Sequence, residues 1–195
     1  ILWLAYAKEY RELIDLSRKD ESLKQMGWMT RIHPFQYPDG RVLLPLYSDG
    51  YNVGLLAISE DYGDTWRPSK PIFGVAGVQP SLVAKKDGTL VAYMRDNGPP
   101  PQRALRAESS DRGETWSLAT DTDLLNPGSS LEVIGLKDGR WVVAYNDTEE
   151  GRHLFALALS EDEGQTWKSK RYLEETEPGK GSFSYPSMIQ ARDGN

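Results

Sequence analysis

The octapeptide Ser59-Glu60-Asp61-Tyr62-Gly63-Asp64-Thr65-Trp66 has the form S-x-D-x-G-x-T-W, and the chain contains it three times, at 59–66, 109–116 and 160–167. In each copy we expect Asp to bind backbone N–H groups two residues on, Gly to adopt a positive φ, and Trp to anchor the turn on an apolar core. The Asp residues lie 50 and 51 positions apart, which is the interval of one four-stranded blade of a β-propeller. The sequence therefore predicts an all-β fold of repeated four-stranded blades.

A second mark, the dipeptide Asp-Gly, recurs about once per repeat, at positions 39–40, 87–88, 138–139 and 193–194. Between two strand-like segments, Asp-Gly predicts a two-residue hairpin. Each repeat thus reads strand, Asp-Gly turn, strand, loop, strand, octapeptide turn, strand. The three octapeptides are called the Asp turns below.

Composition excludes several kinds of function. The net charge of −6 disfavours a nucleic-acid surface or an anionic membrane as a partner. No run approaches the 18 or so apolar residues that a membrane-spanning helix needs. The chain has no Cys and only two His residues, which excludes disulfides and disfavours a His/Cys metal site. No cofactor is predicted.

The repeats divide the chain into three parts. Residues 1–6 (ILWLAY) are expected to be the remnant of a preceding blade strand, and residues 7–29 a charged, helical insertion beside the blades. Residues 30–195 hold the blades, of which the last is incomplete. Because three full repeats and two partial ones cannot close a ring of six or seven blades, we expect a fragment that needs missing blades or another chain.

Polar residues occupy the same position in successive repeats. Eight positions before each Asp-Gly stand Arg31, Gln79, Ser130 and Tyr185, and six before it stand His33, Ser81, Glu132 and Ser187. Residues two apart on a strand share a face. Seven positions after the Gly, on the next strand, stand Tyr47, Arg95 and Asn146. All of these lie at the end of the hairpin away from the turn, so the pattern predicts a polar rim, called the mouth below, opposite the Asp turns.

The Asp turns resemble the Asp boxes, or bacterial neuraminidase repeats, of sialidases and their relatives. Longer segments resemble bacterial sialidase-like proteins with a BNR-repeat domain, namely GWMTRIHPF, LPLYSDG, QPSLVAKKDGTLVAYMRDNGPPP, NPGSSLEVIGLKDGRWVVAYND and GSFSYPSMIQARDG. The similarity covers roughly residues 27–195. It implies a β-propeller of six or seven blades, a glycan or acidic-sugar substrate, and a secreted or periplasmic location.

The resemblance also implies roles for individual residues, because sialidases are retaining glycosidases with a Tyr nucleophile, an assisting Glu, an Asp acid/base and an Arg cluster. Tyr185 matches the nucleophile. Glu132 is the candidate base, although the family Glu aligns better with Ser130. Arg31 and Arg95 are the candidate carboxylate clamps, and the candidate acid/base residues on mouth loops are Asp49 and Asp96.

Four further mouth residues are candidate substrate contacts: His33, Tyr47, Gln79 and Asn146. Asn146 stands where a third Arg would complete a triad. The sequence leaves three functions open, namely a sialidase-like glycoside hydrolase, a glycan-binding propeller without catalysis, and a polysaccharide lyase or other glycosidase that acts through the same Arg, His, Tyr, Glu and Asp set.

Overall fold

The computed structural model describes residues 11, 12, 15, 16, 18–20 and 27–194. The predicted strand remnant at 1–6 lies outside the described residues, as does most of the helical insertion at 7–29. Both stay predictions. Among the described residues, no helix is both long and apolar enough to cross a bilayer.

Three antiparallel sheets follow one another along the chain. In the first, the order is β1-β3-β4-β5 and β2 also pairs with β3. Its strands are β1 (Met29–Thr30), β2 (Phe35–Gln36), β3 (Val42–Ser48), β4 (Val53–Ser59) and β5 (Arg67–Pro68).

The second and third sheets have four strands each, in sequential order. The second sheet contains β6 (Gly77–Ala84), β7 (Leu90–Asp96), β8 (Arg103–Ser109) and β9 (Thr120–Leu125), and the third contains β10 (Glu132–Gly135), β11 (Trp141–Asn146), β12 (Leu154–Ser160) and β13 (Ser169–Glu175). The predicted sequence of four strands per repeat is confirmed.

Two apolar cores lie between neighbouring sheets. One joins the first and second sheets through residues such as Leu43, Leu56 and Leu90. The other joins the second and third through Tyr93, Trp141 and their neighbours. Each fully buried Leu or aromatic side chain contributes about 1.5–3 kcal/mol of transfer free energy, so sheet-to-sheet packing is the main stabilising interaction.

The Asp turns connect the third strand of each sheet to the fourth, and their hydrogen bonds differ from the expected ones. In the first copy, Asp61 accepts bonds from the backbone N–H and the hydroxyl of Thr65, four residues on, at 2.9 and 2.6 Å. The nearer N–H groups of Asp61 and Gly63 bind Ser59 Oγ instead, at 3.3 and 2.8 Å. The prediction that Asp binds two residues on was therefore wrong, because the Ser hydroxyl occupies that position. The expected positive φ of the Gly is confirmed in all three turns.

The Asp-Gly turns hold the bond that was expected in the Asp turns. Asp87 Oδ1 accepts the N–H of Thr89, two residues on, at 2.8 Å. Lys85 closes the loop by donating its N–H to the carbonyl of Thr89 at 2.8 Å. The closing pair leaves three residues in the loop rather than the predicted two, and the positive φ of Gly88 suits this longer hairpin.

The Asp turns should make stability depend on pH in acid. Hydrogen bonds, chiefly from the Thr hydroxyl and backbone, lower the pKa of Asp61 and of Asp162 to about 2. Because the folded pKa lies below the unfolded value, these carboxylates stabilise the fold above about pH 4, and that stabilisation is lost as the pH falls towards 2. We expect the urea midpoint of the D61N/D162N variant to change less with pH in this window than that of the wild type.

The matched control for this measurement is Asp64→Asn, in the same turn but outside the Thr65 bonds. It should keep the wild-type slope. A wild-type slope in D61N/D162N would show that the low pKa values do not govern acid stability.

After β13 the chain continues without a described strand. Residues 176–194 lie along the third sheet through side-chain contacts such as Lys137 N–H to Gln190 Oε1 at 2.8 Å and Asn146 Nδ2 to the Phe183 carbonyl at 3.0 Å. No strand is formed among these described residues, where the sequence predicts the first strand of a fourth repeat, and the segment lies beside the third sheet instead.

Candidate functional site

Several mouth residues lie where the first strand of a sheet is interrupted. Arg31 and His33 lie between β1 and β2, outside the ladder with β3. The pairing of β6 with β7 shifts between Val78 and Ser81, and Gln79 lies in that irregularity. Proline follows closely in each case, at Pro34 and Pro80, and Pro cannot donate to a strand ladder. The local sequence thus releases these side chains from regular pairing.

Backbone strain marks two equivalent positions. Gln79 has a φ of 57° and Tyr185 a φ of 60°, and both stand eight positions before an Asp-Gly and directly before a Pro. A left-handed conformation at a residue with a side chain costs on the order of 1–3 kcal/mol and is most often found at functional sites.

Two cations flank the ring of Tyr185. The guanidinium carbon of Arg31 lies 5.2 Å from the ring centre, and that of Arg152 lies 5.6 Å from it. Arg31 Nη2 donates to the Pro186 carbonyl at 2.6 Å, and Arg152 Nη2 donates to the Gly128 carbonyl at 3.1 Å. Tyr185 is about half exposed, at 49%. Both guanidinium groups are thus within cation–π distance of a ring that is partly exposed to solvent.

His33 and Glu132 contact each other directly. They stand two residues after Arg31 and Ser130, on the same face. His33 Nδ1 lies 2.5 Å from Glu132 Oε1. Glu132 is fully buried, and its Oε2 accepts the N–H of Met188 at 2.5 Å. Burial lowers the pKa of Arg31, and the charge of Glu132 opposes that change. Arg31, His33, Glu132 and Tyr185 therefore belong to one connected cluster.

Several mouth side chains keep buried polar atoms that have no hydrogen-bond partner among the described residues. They are Arg31 Nε, Gln79 Oε1, Arg95 Nε and Ser130 Oγ. Three of these residues, Arg31, Gln79 and Ser130, stand at equivalent positions of the repeats. An unpaired buried polar group costs about 1–3 kcal/mol, so proteins rarely keep such groups without a use. The cluster is suited to a polar ligand that can pair with these atoms.

Other predicted residues are engaged in local structure. Asn146 accepts from Ser129 Oγ at 2.8 Å and donates to two backbone carbonyls. Asp96 accepts the N–H groups of Gly98 and Arg103 at 2.7 and 3.3 Å, and burial raises the pKa of its carboxyl. Both side chains hold the ends of mouth loops in place.

Tyr47 and Asp49 lie near the end of β3. Tyr47 is buried at 9% exposure. Asp49 lies in the turn after the strand and is partly buried. Asp49 therefore stays a predicted acid/base residue.

Arg152 was missed by the sequence reasoning. The predicted third Arg was sought seven positions after Gly139, where Asn146 stands. Arg152 comes from the following loop instead. The available signal was its position at the end of a predicted mouth loop, just before a third strand.

A separate cleft of about 560 Å³ lies between the second and third sheets. It contains none of the predicted mouth residues. Some of its polar groups are paired, as in the contact of Asp147 with Lys170 at 2.6 Å and with Tyr172 at 2.7 Å, whereas Arg106 Nε has no partner among the described residues. The mouth, where Arg31 and Arg152 lie against the half-exposed Tyr185, is the better candidate for ligand chemistry.

The sequence profile of the BNR repeat-like domain family matches residues 16–195. The chain belongs to this family. The predicted sialidase-like BNR-repeat relationship is thereby confirmed.

Individual relatives agree with this membership. This BNR repeat-like domain is 27% identical over 177 residues to the anhydrosialidase of Macrobdella decora, a match that covers 80% of the chain and 22% of that protein. The structure of a leech intramolecular trans-sialidase in complex with 2,7-anhydro-Neu5Ac superposes with a TM-score of 0.68 at 23% identity, over 83% of this chain and 26% of that one. The intramolecular trans-sialidase of Ruminococcus gnavus gives a TM-score of 0.67 at 22% identity, over 83% and 37%.

These likenesses establish the fold of the described sheets. The chain spans about a fifth of the length of the anhydrosialidase, with 22% of that protein matched.

Proposed function

We propose that this BNR repeat-like domain forms part of a sialidase-like glycoside hydrolase that removes a terminal acidic sugar from a glycan. The observation that carries the proposal is that the guanidinium groups of Arg31 and Arg152 both lie close to the ring centre of Tyr185, at 5.2 and 5.6 Å. The similarity to the anhydrosialidase of Macrobdella decora supports it.

The residue types fit an acidic sugar. Guanidinium groups bind a carboxylate through two parallel hydrogen bonds, and Arg keeps its charge at any physiological pH. Arg31 and Arg152 bring two guanidinium groups to the half-exposed Tyr185, and each group has N–H donors for a carboxylate. A carboxylate bound here would lie beside the ring of Tyr185.

Tyr185 is proposed as the nucleophile of a retaining mechanism. A sugar that carries a carboxylate at its anomeric carbon repels an Asp or Glu nucleophile, whereas a neutral phenol can approach it. Tyr185 would form a covalent bond to the anomeric carbon, and water would then release the sugar. Protonation of the leaving oxygen is assigned to Asp49 or Asp96. Burial raises the pKa of Asp96, but both of its oxygens accept backbone N–H groups, which an acid would have to give up in part.

A non-catalytic glycan-binding function is the second candidate. It is favoured by the engagement of both oxygens of Glu132, with His33 and with the N–H of Met188. Bound in this way, Glu132 is not free to accept a proton from Tyr185 directly. Turnover of a sialoside separates the two functions, because binding alone releases no product.

The complete propeller belongs to the same proposal. Six or seven blades, supplied by further residues or another chain, would surround the mouth and shield it from bulk water. The proposal also includes a secreted or periplasmic location, where glycans are accessible.

Arg152→Ala should weaken substrate binding in the full-length protein. Loss of one guanidinium from a carboxylate site is expected to raise KM about 10- to 100-fold, which corresponds to about 1.4–2.7 kcal/mol. The measurement is steady-state hydrolysis of a fluorogenic sialoside. Arg171→Ala, which removes an exposed Arg on β13, is the matched control and should leave KM unchanged. Equal KM values for R152A and wild type would exclude Arg152 from the site.

A further inference from the structure

The mouth positions eight residues before each Asp-Gly, which include Arg31 and Tyr185, provide no base. These four equivalent positions hold Arg31, Gln79, Ser130 and Tyr185. None of the three side chains other than Tyr185 can accept a proton from the phenol near neutral pH. A base for Tyr185 must therefore come from another position.

The mouth positions six residues before each Asp-Gly lie on the same face, and they supply two groups that can carry a proton. His33 and Glu132 stand two residues after Arg31 and Ser130, and they contact each other at 2.5 Å. Their exposures differ sharply, because the side chain of Glu132 is 1% exposed and that of His33 37%. The imidazole is thus the accessible member of the pair.

Glu132 determines which nitrogen of the His33 imidazole carries the proton. A buried carboxylate accepts a hydrogen bond from Nδ1–H, which leaves Nε2 as the acceptor of a neutral imidazole. Because the other oxygen of Glu132 accepts the N–H of Met188, the carboxylate cannot rotate freely. Met188 lies three residues after Tyr185, so the segment that holds the phenol also holds the dyad.

We propose that His33 is the base for Tyr185 and that Glu132 is its positioning residue. This inference rests on the proposed function. The phenolic O–H bond breaks, its electron pair stays on oxygen, and the proton moves to His33 Nε2, directly or through one water molecule. A phenolate and an imidazolium result, and the negative charge of Glu132 stabilises the imidazolium. The neighbouring charged groups are Arg31 and Arg152, which stabilise the phenolate.

Chemical rescue tests the assignment. His33→Ala should lower kcat for a fluorogenic sialoside about 100-fold or more, the usual contribution of general base catalysis. Added imidazole should restore a large part of that activity in H33A, because it can occupy the space of the lost ring. KM should change little. An H33A enzyme with wild-type kcat, or one that imidazole does not rescue although it folds normally, would overturn the proposal.

His153→Ala provides the matched control, since His153 is the other His of the chain. It should keep wild-type activity and show no response to imidazole. Glu132→Gln should lower kcat in the same way as H33A but without rescue, because the amide cannot stabilise the imidazolium.

A second measurement does not depend on turnover. In the wild type, the ¹⁵N NMR spectrum of His33 should show a proton on Nδ1 and none on Nε2, and E132Q should lose this preference. If no sialoside is cleaved but the tautomer is as expected, the proposed function fails while the dyad geometry stands. If sialosides are cleaved and the tautomer is reversed, the dyad assignment fails alone.

Discussion

Tyr185→Phe is expected to abolish sialoside hydrolysis, with kcat reduced by at least about a thousand-fold. The substitution removes a single oxygen and keeps the ring that Arg31 and Arg152 contact. Because the cation contacts are made to the ring face, substrate binding should be retained. The measurement is kcat and KM for a fluorogenic sialoside in the full-length protein, together with the affinity for the free acidic sugar.

Tyr62→Phe is the control for this experiment. Tyr62 is 71% exposed and belongs to the first Asp turn, at the rim opposite the mouth, so its loss of a hydroxyl should leave kcat unchanged. A Y185F enzyme that retains turnover would exclude Tyr185 as the nucleophile. A wild type that binds the sugar without turnover, with binding unaffected in Y185F, would favour the glycan-binding function.

The largest effect on stability is expected for Gly164→Ala, in the third Asp turn. A Cβ at this position would meet Tyr93 Oη and would lie 2.9 Å from the ring of Trp141. The φ of Gly164 is +78°, a conformation that costs a residue with a side chain about 1–2 kcal/mol. Overpacking adds about 1–3 kcal/mol. We therefore expect G164A to lower the free energy of unfolding by about 2–5 kcal/mol, measured by urea denaturation.

Gly88→Ala isolates the conformational part of that loss. Gly88 has a similar φ of +88°, and nothing lies within 4 Å of a Cβ built there. G88A should therefore lose only the roughly 1–2 kcal/mol that comes from backbone strain. Tyr93→Phe in the G164A background should recover part of the loss, since it removes the oxygen that the new Cβ meets. Equal losses in G88A and G164A would show that the third Asp turn is not tightly packed.

The turn chemistry explains why so much of the fold could be predicted. Residues such as Asp61 and Gly63 determine local geometry through their own backbone bonds and φ, and the spacing of the copies sets the length of a repeat. Details of the bonds were less predictable. Ser59 and Asp61 compete for the same N–H groups, and only the folded turn shows that Ser takes the near ones.

The candidate site was less accessible to sequence reasoning. The positions of Arg31, His33, Glu132 and Tyr185 in the repeat indicated a shared rim, but alternation along a strand cannot specify which side chains touch. The structure pairs His33 with Glu132 across 99 positions of sequence. It also places Arg152 against Tyr185, a contact that depends on the path of a loop.

The sequence by itself determined that the chain is built from repeated four-stranded sheets and that the polar columns lie away from the Asp turns, because turn geometry and strand periodicity are local properties. Tertiary structure alone decided the partners of each polar side chain. The partners His33 and Glu132 come from different sheets, and their distance depends on how the apolar faces of neighbouring sheets pack together.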